Sequence, residues 1–209
     1  MMKKRLPLVL LSVLLFAGCA GVPVTDLKRT EGFADKKISD IANAPKVMKP
    51  AGALALGKVV KITLDEKLSP VFTQDAVDSR FELVEVIGKK DQPFSFNVVA
   101  ECDCLGFAKK AVAPVAYLLD SSGAVVAQET PNERPVDDVL YKMFKTVKGK
   151  FPADGSYFLV VVADYHGARS VRVGDAVGYI GFVPIKKAIY QYPTGLVYIG
   201  WVAEQKAAN

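Results

Sequence analysis

Histidine is nearly absent from this chain: His166 stands alone among 209 residues. That excludes a metal site built from several imidazoles and leaves a Ser-His-Asp triad a single candidate base. His166 lies in Asp164-Tyr165-His166-Gly167, directly after an apolar run and where a turn belongs, so it reads as a turn residue. No Gly-x-Ser-x-Gly elbow accompanies it. The glycines from Gly174 to Gly181 lack the lysine and following helix of a phosphate loop, and no Asp-x-Asp-x-Asp-Gly calcium loop occurs. Carboxylates such as Glu101, Asp103, Asp137 and Asp138 could pair in space by chance. Spacing along the chain cannot set the separation a glycosidase needs. The expectation is no catalytic residue, no cofactor and no bound metal.

Cysteine is scarce as well, with only Cys19, Cys102 and Cys104. In a strand, residues two apart share a face at roughly 6.5 Å, near the outer limit for a disulfide. Cys102-Asp103-Cys104 would need a kink to bridge, and both the thiol and the bridged state stay open. Two thiols also fall short of a structural zinc site. Concentrated basic charge is missing too. The formal net charge is +5, but Lys3, Lys4 and Arg5 supply three of those charges, leaving +2 beyond residue 18. The remaining lysines are scattered as pairs (Lys36-Lys37, Lys89-Lys90, Lys109-Lys110, Lys186-Lys187), the pattern of a solvated face. Nucleic-acid binding is therefore not expected.

What the chain does have begins at its start. Lys3 to Arg5 precede an apolar run from Leu6 to Phe16, and Ala17-Gly18-Cys19 follows. A charged start, an apolar middle and small residues at the end make a secretory signal. The run is too short for a comfortable membrane span. Leu15-Phe16-Ala17-Gly18-Cys19 also resembles the lipobox of bacterial lipoproteins, with Phe16 in place of the usual leucine. The resemblance implies that Cys19 is acylated and becomes the first mature residue. Ala20 follows it, whereas an aspartate there would resemble the inner-membrane retention signal of enteric lipoproteins. The expected address is the outer membrane, facing the periplasm, in an oxidising compartment.

Residues 19–57 read as a lipidated tether: Pro23, Pro45 and Pro50 punctuate it, and one short helix fits Ala34 to Asn43. From residue 58 to 209 the pattern is β-type. Phe94, Phe96, Val98, Ala100, Cys102 and Cys104 occupy one face by alternation, the mark of a half-covered strand. Val115 to Leu119 and Ala124 to Ala127 flank Asp120-Ser121-Ser122-Gly123, a hairpin signal. Pro131 to Pro135 opens a polar connection with room for a helical turn over Val136 to Met143. Tyr157 to Ala163 is apolar on both faces and reads as a central strand covered on both sides. Val171 to Val173, Tyr179 to Val183 and Leu196 to Val202 are further short strands. Many strands without alternating helices indicate an antiparallel β-sandwich.

Several segments then carry a resemblance in order: Leu68-Ser69-Pro70-Val71-Phe72, Pro93-Phe94-Ser95-Phe96, Ala113 to Asp120, Gly155 to Val161, and Pro193-Thr194-Gly195-Leu196-Val197. Together they resemble the maltose-operon periplasmic protein family. They are also similar to the jelly-roll-like domains that follow secreted bacterial peptidases. The resemblance implies an exported accessory or binding β-domain, with no catalytic residues to carry over. Tyr179, Tyr190, Tyr192, Tyr198 and Trp201 could line a concave face for sugar rings. The competing and stronger reading has them packing the core or the end of the sandwich, since such side chains are commonly part-buried. The expected function is a non-enzymatic envelope lipoprotein that binds or scaffolds an envelope protein. A carbohydrate-binding accessory protein, with an oligosaccharide as partner, comes second, and an envelope hydrolase last.

Overall fold

The computed structural model describes residues 23–103, 110–129, 136–137, 142–163, 172–180 and 183–202. The chain opens with β1 (Val24–Asp26), β2 (Lys37–Ile38), a 3-10 turn (Ile41–Asn43) and α1 (Ala44–Val47). The strands β3 (Val59–Leu64), β4 (Val71–Gln74), β5 (Val77–Gly88) and β6 (Pro93–Asp103) follow. Next come β7 (Lys110–Ala111), β8 (Pro114–Asp120), β9 (Val125–Gln128), β10 (Val136–Asp137) and β11 (Lys142–Lys150). β12 (Gly155–Ala163), β13 (Arg172–Ile180), β14 (Val183–Gln191) and β15 (Gly195–Trp201) complete the order.

Among the described residues these strands form a nine-stranded and a six-stranded sheet packed as a β-sandwich. Pairing is mostly antiparallel, with parallel pairs at β1–β3, β2–β4 and β7–β14. The larger sheet runs β1-β3-β15-β6-β7-β14-β13, with β11 and β10 along the other side of β6. The smaller runs β2-β4-β5-β12-β8-β9.

The alternation read from the sequence sets which side chains meet. Phe94, Phe96, Val98 and Ala100 of β6 face Leu159, Val161 and Ala163 of β12 across the inter-sheet core. Phe151 sits among Phe94, Tyr157 and Trp201, with ring centroids 4.7, 4.7 and 5.8 Å away. β12 lies between β5 and β8 within the six-stranded sheet, and both of its apolar faces are covered. Its other face, Phe158, Val160 and Val162, joins a second cluster with Phe81 and Leu83 of β5 and Leu119 of β8.

That second cluster is closed by the chain segment expected to be a tether. Ile38, Ile41, Ala44 and Met48 are buried against the outer face of the six-stranded sheet. Before them β1 joins the edge of the other sheet beside β3. After them Ala51 N–H donates to Leu83 O and Leu54 N–H to Glu85 O, along β5. The boundary at residue 58 is therefore corrected: residues 24–57 are already part of the sandwich. The physical reason is the smaller sheet's outer face, too apolar to meet water. The helix fitted to Ala34–Asn43 is also corrected, because it lies later and is shorter. Asp40 caps the 3-10 turn at Ala42 N–H, 3.0 Å, and Pro45 sits in the first turn of α1.

Arg29 fastens this segment. Its guanidinium donates to both oxygens of Glu82, at 2.6 Å from Nη2 and 3.0 Å from Nε. It also donates to Lys49 O at 3.1 Å and lies 4.8 Å over the Phe33 ring. Glu82 shares its side of β5 with Val84 and Val86, inside the sandwich, and is 2% exposed. Ser69 Oγ donates to its Oε1 at 2.9 Å. Burial pushes the Glu82 carboxyl up, and Arg29 and then Ser69 oppose that shift.

The expected hairpin forms. β8 and β9 pair, and Asp120 Oδ1 accepts from Ser122 Oγ at 2.6 Å and from the N–H groups of Ser122 and Ala124. Gly123, at φ 93°, turns the chain beneath Ala42 O of the covering segment, where a Cβ would collide. Two further expectations are corrected. Val136 and Asp137 form strand β10 against Met143 and Lys142, so the four described residues of the expected helical turn are extended. Tyr179 to Val183 is not one strand, because Ile180 ends β13 and Val183 begins β14 of a single hairpin.

Candidate functional site

The nine-stranded sheet forks, and the fork makes a cavity. β6 carries β15 along Phe96 to Ala100, then β7 along Cys102 and Asp103. β14 ends beside β7, with Gln191 opposite Ala111, and the chain crosses through Tyr192 to Thr194 into β15. Between the start of β15 and β7 lies a cavity of about 450 Å³. Glu101, Lys110, Tyr192 and Thr194 give it polar walls, and Val112 and Leu196 are among its apolar lining. Its size falls within the range of small-ligand sites, roughly 300–1,000 Å³.

Each polar wall has a defined setting. Lys110 Nζ lies 4.1 Å from the Tyr192 ring centroid, a cation–π contact that fixes both side chains. Tyr192 N–H donates to Ala111 O at 2.9 Å, so the ring is carried by the crossing itself. Tyr198 Oη donates to Glu101 Oε2 at 3.1 Å, from the neighbouring strand. Burial and then the Glu101 charge raise the Tyr198 phenol above its ordinary value, so it stays a donor. Beyond it Lys61 pairs with Asp26 at 3.0 Å, and that hydrogen bond raises the Lys61 ammonium. The walls thus offer a cation, a carboxylate, a hydroxyl and an aromatic ring around an apolar lining. Such a set has the hydrogen-bonding and stacking groups to orient a polar ligand. Among the described residues no group of three His, Cys, Asp or Glu side chains could hold a metal.

The five aromatics singled out from the sequence separate. Tyr192 lines the cavity and Tyr198 supports Glu101. Tyr190 is 43% exposed on β14, and the side chain of Tyr179 lies outside the described residues. Trp201 is corrected: it is 4% exposed and packs on Phe96, centroids 5.4 Å apart, so it cannot meet a ligand at the surface. Cys102 also lines the cavity and is disulfide-bonded, while Cys19, Cys104 and His166 lie outside the described residues. Lys110 and Thr194 went unnoticed in the sequence. Lys109-Lys110 looked like a solvated pair, and only the strand fork turns Lys110 onto Tyr192.

No family model matches the chain, and no curated protein matches it. A solved structure to which it is similar is the pre-peptidase C-terminal domain of a collagenase from Bacillus anthracis. The identity is 10% over 83% of this chain and 98% of that one, with a TM-score of 0.30.

Proposed function

We propose that this chain is a non-enzymatic lipoprotein of the bacterial envelope, a β-sandwich that holds a small polar ligand in the fork of its larger sheet. Acylation at Cys19 anchors it to the outer membrane, facing the periplasm; two or three acyl chains suffice for stable anchoring. The observation that carries the binding role is the cavity walled by Glu101, Lys110 and the Tyr192 ring. Replacing Cys19 by Ala should release the protein from membranes, and an unchanged membrane fraction would refute the anchor.

An oligosaccharide is the ligand class favoured by the exposed Tyr190 beside a cavity carrying Tyr192, Thr194 and Glu101. The resemblance of the ordered segments from Leu68 to Val197, taken together, to the maltose-operon family agrees with that class. Titrating the soluble chain with maltooligosaccharides should move the amide resonances of Glu101, Lys110 and Tyr192 saturably, with the response lost in Tyr192→Ala. Unmoved resonances across neutral and acidic oligosaccharides would overturn the carbohydrate assignment. Co-purification of one envelope protein, lost in the same variant, would then mark the cavity as a scaffolding contact.

A further inference from the structure

The packing of residues 24–57 shortens the leash between Cys19 and the sandwich. A tether from Cys19 to Gly57 would reach about 130 Å fully extended. Because Val24 is already paired with Val59, only five residue steps remain, with a reach of about 17 Å. A leash this short keeps the part of the sandwich that carries Val24 next to whatever holds Cys19.

Strand register identifies that end. Val24 lies level with Val59, and Val59 with Gly200. β1 then runs toward the cavity end, so residues before Val24 enter from the opposite end. There Gly57 N–H donates to Trp201 O and Val202 N–H to Ser95 O. Ser95 and Pro93 are paired with Lys148 and Lys150. Gly88 is paired with Gly155, and the two turns beyond are tied together by Asp91 N–H to Phe151 O and Lys90 N–H to Asp154 Oδ1.

The surface of this end has a composition of its own. Lys58, Lys89, Lys90, Lys148 and Lys150 are all exposed on it, against the exposed acids Asp91 and Asp154. Four large apolar side chains are exposed there too: Val24 at 49%, Leu56 at 46%, Ile87 at 59% and Val202 at 43%. The leash keeps Val24, at the edge of this surface, within about two Debye lengths of the acylated residue, where surface potential is felt. Lysines with interspersed apolar side chains suit a lipid headgroup layer, which takes the charge on phosphate and the apolar groups at the acyl boundary.

We propose that this end of the sandwich is a membrane-apposed surface that binds anionic phospholipid headgroups, so that the cavity opens away from the bilayer. The proposal rests on the acylation of Cys19 for its geometry, while the surface chemistry is independent of it. The test has two arms. In the first, the lipoprotein purified from membranes is reconstituted into vesicles of phosphatidylethanolamine and phosphatidylglycerol, with an environment-sensitive fluorophore at position 87 or 66. Ile87 lies at the proposed surface, and Glu66 is exposed in the loop after β3, at the cavity end. Lipid-borne quenchers should dim the fluorophore at 87 and spare the one at 66. Equal dimming, or stronger dimming at 66, overturns the orientation. In the second arm the soluble chain from residue 19, with Cys19→Ser, is titrated with the same vesicles and with phosphatidylcholine alone. Affinity should favour the anionic vesicles and fall roughly fivefold for each of Lys89, Lys148 and Lys150 replaced by Gln. Equal affinity for both vesicles, or no loss on replacement, refutes the surface. The mass of the mature amino-terminal peptide decides acylation separately, so a missing acyl group refutes the anchor without touching the second arm.

Discussion

The six-stranded sheet is covered on one face by another sheet and on the other by a segment with almost no regular structure. The first cover is built from alternating strands, each paired to its neighbours, and its core includes Phe96, Phe151 and Trp201. The second consists of two residues of strand, one 3-10 turn and a four-residue helix, with Ile38, Ile41, Ala44 and Met48 supplying the apolar contact. A single buried ion pair, Arg29 to Glu82, fastens its start. The contrast teaches that a cover need not be periodic. It needs apolar side chains at the right places and a few fixed points, and its irregular backbone hides it from pattern reading.

The largest effect should come from placing a charge beneath the second cover. Val160→Asp or Val162→Asp would bury an unpaired carboxylate, a cost of several kcal/mol against a typical stability of about 5–15 kcal/mol. Neither variant should yield folded protein by circular dichroism. A folded, stable Val160→Asp would mean that this face is open to water.

Removing the fastening comes next. Arg29→Met leaves Glu82 without its counter-charge and should cost about 3–5 kcal/mol in denaturant unfolding. The sign of the pH dependence follows from the raised Glu82 carboxyl. A carboxyl raised on folding stabilises the fold below its unfolded value, and that contribution is lost as pH rises through its folded value. Loss of Arg29 removes an opposing influence, so the deficit of the variant should be greatest at neutral pH and shrink on acidification. A deficit independent of pH would show that Glu82 does not sense Arg29.

The hairpin beneath Ala42 gives a smaller test. Asp120→Ala forfeits the turn bonds to Ser122 and Ala124 and should cost about 1 kcal/mol. The Ser122 hydroxyl holds the Asp120 carboxyl below its ordinary value; desolvation opposes it, and the backbone amides of Ala124, Ser122 and Gly123 add to it. Its contribution is therefore present above about pH 4 and fades as pH falls further, so wild type and variant should converge in acid. The smallest effect is a gain. Asp75 and Ala76 form the two-residue turn between β4 and β5 at φ 52° and 65°, where glycine is favoured. Ala76→Gly should raise stability by about 0.5–1 kcal/mol, read as a higher melting temperature.

What could be read from the sequence divides along the same line. The inter-sheet core was legible because β3, β6 and β12 announce buried positions by alternation or by unbroken apolar runs. The β8–β9 hairpin was legible because Asp120 to Gly123 carries turn chemistry. The β4–β5 hairpin was not, since Asp75-Ala76 lacks the glycine or asparagine that marks such turns. The covering segment was not, because Ile38, Ile41, Ala44 and Met48 follow neither a two-residue nor a helical period for more than a turn. Of the cavity, Tyr192 was legible as an aromatic near the C-terminus and Lys110 was not, because its role depends on the fork between β15 and β7. Trp201 follows the stronger of its two readings, core packing, because the strand that carries it turns its ring inward.

Hydrogen exchange on the mature chain separates a cover from a tether most directly. Phe33, Ala51 and Leu54 donate to Leu68 O, Leu83 O and Glu85 O at 2.8, 2.9 and 2.8 Å, bonds a tether would not make. Their amides should exchange at least a hundredfold more slowly than an open chain, an order-of-magnitude floor set by cooperative opening, and approach the protection of Val160 and Val162. Exchange of all three at open-chain rates, with β12 still protected, would contradict the account and return residues 24–57 to the role of a tether.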